Sequence, residues 1–371
     1  MNTLITECID FVSNDFLGFS RSTLLNQEVC RRYYEMSYSF LNMRMGAGGS
    51  RLMVGASPLM QNLESKIAAY HGVQEAFIVN SGYIANLGFC YHVSQDDDIL
   101  LWDEYVHMSV KYGLCATKGT QQSFRHNDLN HLETLLQHYR ESSCGRIFIF
   151  ICSVYSFEGT FAPLEEILGL AFKYDAKLIV DEAHAVGLFG KEGRGLCKNL
   201  GYENFYAILV TFGKALGCMG AAILSSKEVK ENLMFNSPPL RYSTCLSPSV
   251  LVAIDVAYDF LSSEGEKSRH QLLVLHRHFQ QNYPKCALGC VQPIYVNKSQ
   301  FDSAIVALQD HNIQVGILTF RSENPFIRVN LHSFNTIEEI DLLISVLDPY
   351  LEKSCYRVNV DHKFHFWREL C

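Results

Sequence analysis

Asp181, His184, Thr211 and Lys214 place an acid, an imidazole, a hydroxyl and an amine in one short stretch of sequence. Each stands where an apolar run stops. In KLIVDEAHAVG the run Leu178 to Val180 closes on Asp181 and His184, and in FYAILVTFGKALG the run Phe205 to Val210 closes on Thr211 and Lys214. Short β-branched runs without alternation predict strands covered on both faces. That implies a parallel sheet, whose ligands bind at the carboxyl ends of its strands. All four groups would then face one crevice.

An amine beside a hydroxyl suits an aldehyde cofactor held as a Schiff base, with any phosphate on it fixed nearby. Ser81-Gly82-Tyr83 closes the strand in EAFIV and opens a helix, so its free N–H groups and positive dipole end can receive a phosphate, although most such junctions bind nothing. Pyridoxal phosphate fits this set. Its ring is an electron sink only while its nitrogen stays protonated; Asp181 can supply the carboxylate this requires, and His184 can bond the ring hydroxyl. Taken singly, Asp181 caps a turn, His184 packs and Lys214 projects into water; on two adjacent strand ends together they favour the cofactor. No G-x-x-x-x-G-K-[ST] occurs, and no G-x-G-x-x-G follows a strand with an acidic partner.

The elements that must position these groups alternate along the chain. After a turn-rich opening, FVSNDFLGFS, and a polar helix, GAGGSRLMVGAS gathers glycines that fit either a close backbone approach or a mobile loop. Pro58 begins a helix with Leu59, Leu63, Ile67 and Tyr70 on one face, ending at Gly72. His107 follows a strand four residues beyond Asp103; a lone histidine there is more often structural. A helix over Leu129 to Tyr139, a strand in RIFIFICSVY, a helix over Pro163 to Tyr174 and a strand in GAAILSS, antiparallel in direction, complete a wound α/β unit. We divide the chain into an arm (1–38), a large domain (39–250) and a smaller α+β domain (251–371), with 352–371 unassigned.

With 371 residues, 48% hydrophobic and 19% charged, the composition is that of a globular protein with a large core. A formal charge of -8 and the lack of basic runs argue against nucleic-acid binding. The thirteen cysteines form no C-x-x-C pair, and no signal peptide is read at the N-terminus. Reduced thiols in a cytoplasmic protein are expected, without disulfides or a metal site. His362 and His365 could ligate a metal, and a terminal packing strand is the better reading. No apolar stretch is long enough to cross a bilayer, so no membrane association is expected.

Eight blocks resemble the α-oxoamine synthases, in that family's order: SNDFLGFS, GAGGSRLMVG, SGYIANLG, HND at 126 to 128, VYSFEGTFAPL, DEAHAVGLFG, TFGKALG and RYSTCLSP. The resemblance implies a fold type I pyridoxal phosphate transferase: a mostly parallel seven-stranded sheet, a smaller C-terminal domain, and a homodimer with active sites at the subunit interface. It makes Lys214 the Schiff-base lysine, pairs Asp181 with the ring nitrogen and His184 with the ring oxygen, and stacks His107 on the ring. Gly82, Tyr83, Ser156 and Thr211 surround the cofactor, and Thr244 reaches the phosphate from the other subunit. Asn14 and Arg328 hold the amino-acid carboxylate. The implied reaction is a decarboxylative condensation of L-alanine with an acyl thioester on coenzyme A or acyl carrier protein. Glycine differs from alanine by one methyl, so a glycine-using acyltransferase remains open, as do an aminotransferase and a non-catalytic dimer on the same fold. The chain departs from the family at Cys152, commonly glutamate, at Met60, often histidine, at its shorter N-terminus, and in a shortened loop that leaves the role of Arg321 open.

Overall fold

The computed structural model of the chain describes residues 8–39, 45–93, 95–143, 145–283, 286–319 and 325–351. Arg321, His362, His365 and the tail 352–371 lie outside the described residues. Eleven strands occur among the described residues: β1 (Ile9–Phe11), β2 (Glu75–Val79), β3 (Ile99–Asp103), β4 (Thr120–Phe124), β5 (Ile147–Cys152), β6 (Ala176–Asp181), β7 (Ala207–Thr211), β8 (Ala221–Ser225), β9 (Val291–Tyr295), β10 (Ile313–Leu318) and β11 (Phe326–Asn330).

Seven of them form one sheet in the order β2-β8-β7-β6-β5-β3-β4. Neighbours from β7 through β4 are parallel, and β8 runs antiparallel to both β7 and β2, as GAAILSS suggests. Alternate residues of the central strands face opposite layers. Ile149, Ile151, Leu178, Val180, Ile208 and Val210 join one apolar cluster, whereas Phe148, Phe150, Ile179, Leu209 and Ile223 join the other. Both faces are buried, which is why these strands read as continuous apolar runs. Helices Pro58–His71, Leu129–Ser142 and Leu164–Lys173 cover the first face, and Gly82–His92, Met108–Leu114 and Lys227–Asn236 the second.

The second sheet has the order β1-β10-β11-β9. Its helices Glu264–Asn282, Phe301–Asp310 and Ile337–Leu347 pack on the same apolar cluster as the first face of the large sheet. β1 belongs to the segment read as an arm, yet it pairs in parallel with β10, Ile9 opposite Ile313. A three-residue strand leaves no periodic trace in sequence, and its partner lies at the far end of the chain.

Two glycines allow close approaches at the turns that follow β6 and β7. At Gly187 (φ 88°) a Cβ would lie 2.6 Å from the Cβ of Ala215, so the turn after Asp181 presses directly on the turn carrying Lys214. At Gly217 (φ 63°) a Cβ would lie 2.3 Å from the backbone nitrogen of Ser20. This close approach seats the SNDFLGFS segment against the Lys214 loop.

Candidate active site

β2, β3, β5, β6 and β7 all end at one edge of the sheet, and the candidate residues gather there. Register places Cys152 beside Asp181, and Asp181 beside Leu209. After β6 the chain turns at once: Asp181 Oδ1 accepts the Ala183 N–H at 2.9 Å, which sends His184 back over the strand end. After β7 a tight loop returns into β8. The Gly217 N–H donates to the Lys214 carbonyl (2.8 Å) and the Cys218 N–H to the Phe212 carbonyl (2.7 Å), so Lys214 projects from a fixed backbone.

Lys214 Nζ lies 2.5 Å from His184 Nε2. Burial draws the lysine down to about 8; Arg328 pushes the same way, against Asp181 and Cys152. Burial first, then the charges of Lys214, Arg328 and His107, hold His184 well below the usual histidine range. The imidazole is therefore neutral. With Nε2 accepting from the amine, its proton resides on Nδ1, a buried atom without a partner.

Asp181 Oδ2 accepts a hydrogen bond from Asn86 Nδ2 at 2.9 Å. The same nitrogen is 3.0 Å from Ser109 Oγ, and Ser109 Oγ is 2.7 Å from His107 Nδ1. Asn86 and Ser109 were not anticipated from sequence. Asn86 did leave a signal, since an asparagine inside the apolar helix YIANLGF must find partners when buried. Ser109, two residues past His107, left none.

Asp181, His184, Thr211 and Lys214 line a cavity of about 360 Å³, with Gly82, Tyr83, His107 and Ser156 around them. That volume falls in the usual range for small-molecule sites. Ser81 caps the helix Gly82–His92 through its side chain, and the helix start runs so close to β7 that a Cβ on Gly82 would lie 2.5 Å from Thr211 Cγ2. Thr211 Oγ1 is buried there without a partner.

Asn14 and Arg328 meet beside this cavity: Arg328 Nη2 donates to Asn14 Oδ1 at 2.8 Å, while Arg328 Nε is buried without a partner. Burial lowers the guanidinium to about 10, and its charge is felt at both Lys214 and His184. Thr244 is exposed and stands at the rim, where its carbonyl accepts from Asn80 Nδ2 at 2.6 Å. The glycine-rich segment is anchored from below. Arg51 Nη2 lies 2.6 Å from Glu64 Oε1 and 2.9 Å from the Ile78 carbonyl. Met60 is buried in the core.

These residues fit pyridoxal phosphate. An amine of lowered basicity is available to an aldehyde, and a carboxylate held by N–H donors to a protonated ring nitrogen. A helix start beside an unpartnered hydroxyl can take a phosphate.

The protein family described as aminotransferase class I and II matches residues 6–360. The 8-amino-7-oxononanoate synthase of Emericella nidulans is 30% identical over 381 residues, covering 95% of this chain and 92% of its own. Among solved structures, a lysine-to-alanine variant of a serine palmitoyltransferase from S. paucimobilis with a bound pyridoxal phosphate–myriocin aldimine matches with a TM-score of 0.82 at 22% identity, over 92% of this chain and 87% of its own. The 8-amino-7-oxononanoate synthase of Francisella tularensis matches with a TM-score of 0.77 at 23% identity, over 92% and 97%. The two structural likenesses establish a shared fold, with a mostly parallel seven-stranded sheet.

Proposed function

This chain belongs to the aminotransferase class I and II family, and from that membership and its site we propose that it is a pyridoxal phosphate-dependent 8-amino-7-oxononanoate synthase. It would condense L-alanine with a pimeloyl thioester, carried on coenzyme A or acyl carrier protein, with loss of carbon dioxide. The observation that carries the reading is the Lys214 amine, 2.5 Å from a neutral imidazole, in a cavity that Asp181 also lines. The full-length likeness to a named synthase supports the choice of substrates.

Bound pyridoxal phosphate supplies an electron sink that lets an amino acid lose the proton on its α carbon. Lys214 would hold the aldehyde and then take up that proton on Nζ, a role suited to an amine near pH 8. His184 would orient Nζ through Nε2 and, with its basicity held well below that of Lys214, would not compete for the proton. Asp181 would face the ring nitrogen, His107 the ring face, and Gly82, Tyr83, Ser156 and Thr211 the remainder of the cofactor. The Arg328 guanidinium and Asn14 amide would clamp the alanine carboxylate, a planar fork against two oxygens.

We further read the enzyme as a cytoplasmic homodimer whose active sites lie at the interface, with Thr244 reaching the phosphate bound by a second copy. Met219, which lines the cavity and is 58% exposed, supports a covered face. The large and small domains of the sequence division belong to the same reading. The test is to supply L-alanine, glycine or L-serine with acetyl, pimeloyl and palmitoyl thioesters and identify products by mass. Release of 8-amino-7-oxononanoate with alanine and the pimeloyl thioester is expected, and turnover only with another pair overturns the assignment.

A further inference from the structure

Building on the cofactor reading above, we propose that Asn86 and Ser109 are positioning residues that join Asp181 to His107, so that the group at the ring nitrogen and the group at the ring face are set by one hydrogen-bonded chain. The donors along this chain have one consistent direction. Asn86 Nδ2 carries two hydrogens and has two acceptors, Asp181 Oδ2 at 2.9 Å and Ser109 Oγ at 3.0 Å. Ser109, whose oxygen accepts, then has its own hydroxyl hydrogen for His107 Nδ1 at 2.7 Å. The Ser109 backbone N–H points at the same Nδ1 from 3.2 Å. Two donors on Nδ1 place the His107 proton on Nε2. Reversing the Asn86 amide would set its carbonyl against the Asp181 carboxylate, so the arrangement favours the ionised acid.

Both residues are buried, Asn86 at 3% exposure on the cavity wall and Ser109 fully, so little solvent reaches either bond. Three separate elements are tied together: the helix Gly82–His92, the first turn of Met108–Leu114, and the end of β6. His107 caps the second of these helices through the Nδ1 that Ser109 holds. Neither Asn86 nor Ser109 needs to touch substrate to act.

The test is a binding cycle on the cofactor-free chain with pyridoxal phosphate and with its analogue in which carbon replaces the ring nitrogen. Wild type and Asn86→Ala are titrated with each, and thermal melting of the free proteins checks that both fold. Asn86→Ala is expected to weaken pyridoxal phosphate about tenfold more than it weakens the analogue, since only the former has a nitrogen for Asp181. Ser109→Ala keeps the Asp181 contact and cuts the remainder, so it should weaken both compounds alike, by about threefold. Equal losses for both compounds in Asn86→Ala, or no loss in either variant, overturn the proposal. Failure of the wild type to bind pyridoxal phosphate overturns the function itself, a separate and recognisable outcome.

Discussion

The amine of Lys214 and the ring of His184 meet at 2.5 Å, Nζ to Nε2, across two turns that Gly187 and Ala215 press together. Two bases in such contact cannot both be protonated. Burial has lowered both, the lysine to about 8 and the histidine well below the usual histidine range, so a proton entering the pair resides on the lysine.

The first prediction follows from the lysine. Unfolded, it titrates near 10.5, and folded near 8 in the cofactor-free protein. Below pH 8 both states are protonated and the fold carries a disfavoured ammonium. Between pH 8 and 10.5 the unfolded state binds more protons, so this group adds stability as the pH rises. Lys214→Met should therefore stabilise the cofactor-free protein by about 3 kcal/mol at pH 7, an advantage that shrinks toward zero above pH 10. Denaturant melts of both proteins across that range check it, and a difference independent of pH contradicts it.

Arg328 tests the proposed clamp on the amino-acid carboxylate. Lysine in its place keeps a charge but loses the planar fork, and Asn14 Oδ1 loses its 2.8 Å donor. Arg328→Lys should raise the KM for the amino acid by about tenfold to a hundredfold while the affinity for pyridoxal phosphate changes little. Steady-state kinetics with a direct cofactor titration separate the two effects.

Gly82 tests the helix start. Its φ is not in the left-handed region, so any cost of Gly82→Ala comes from the methyl group driven to 2.5 Å from Thr211 Cγ2. Displacing Thr211 should cost about 1–3 kcal/mol of stability and weaken cofactor binding about tenfold. Melting and titration of the same preparation measure both.

Glu64 tests the anchor under the glycine-rich segment. Its carboxylate is buried, takes the Arg51 guanidinium at 2.6 Å and the Ile78 N–H at 2.7 Å, and lies 3.1 Å from Lys230 Nζ. Glu64→Ala leaves Arg51 buried with its charge uncompensated. A loss of about 3–5 kcal/mol is expected by chemical denaturation. A loss below 1 kcal/mol shows that Arg51 finds another acceptor.

Much of the site was legible because it lies at the ends of strands buried on both faces. The apolar runs LIV of β6 and AILV of β7 have no polar face to read, and the polar residue that closes each run, Asp181 or Thr211, marks the open edge of the sheet. The strands that escaped notice are of another kind. β4, TQQSF, is a polar edge strand, β10, IQVGIL, has only its first residue buried, and β1 is three residues long with β10 as its partner at the far end of the chain. Ser109 was invisible for a similar reason: its meaning lies in Asn86 and Asp181, which reach it only through tertiary packing. Arg51 looked like part of a glycine-rich loop, and only the fold shows it buried against Glu64 and Phe77.

The account depends above all on Lys214, and absorbance spectroscopy tests it most directly. Wild-type protein mixed with pyridoxal phosphate, then freed of excess, should retain a visible absorption band that borohydride reduction converts into a permanent label, with peptide mass analysis locating that label on Lys214. Lys214→Ala should show no label and no turnover of alanine with any acyl thioester. A label on another lysine, or turnover surviving in Lys214→Ala, contradicts the account.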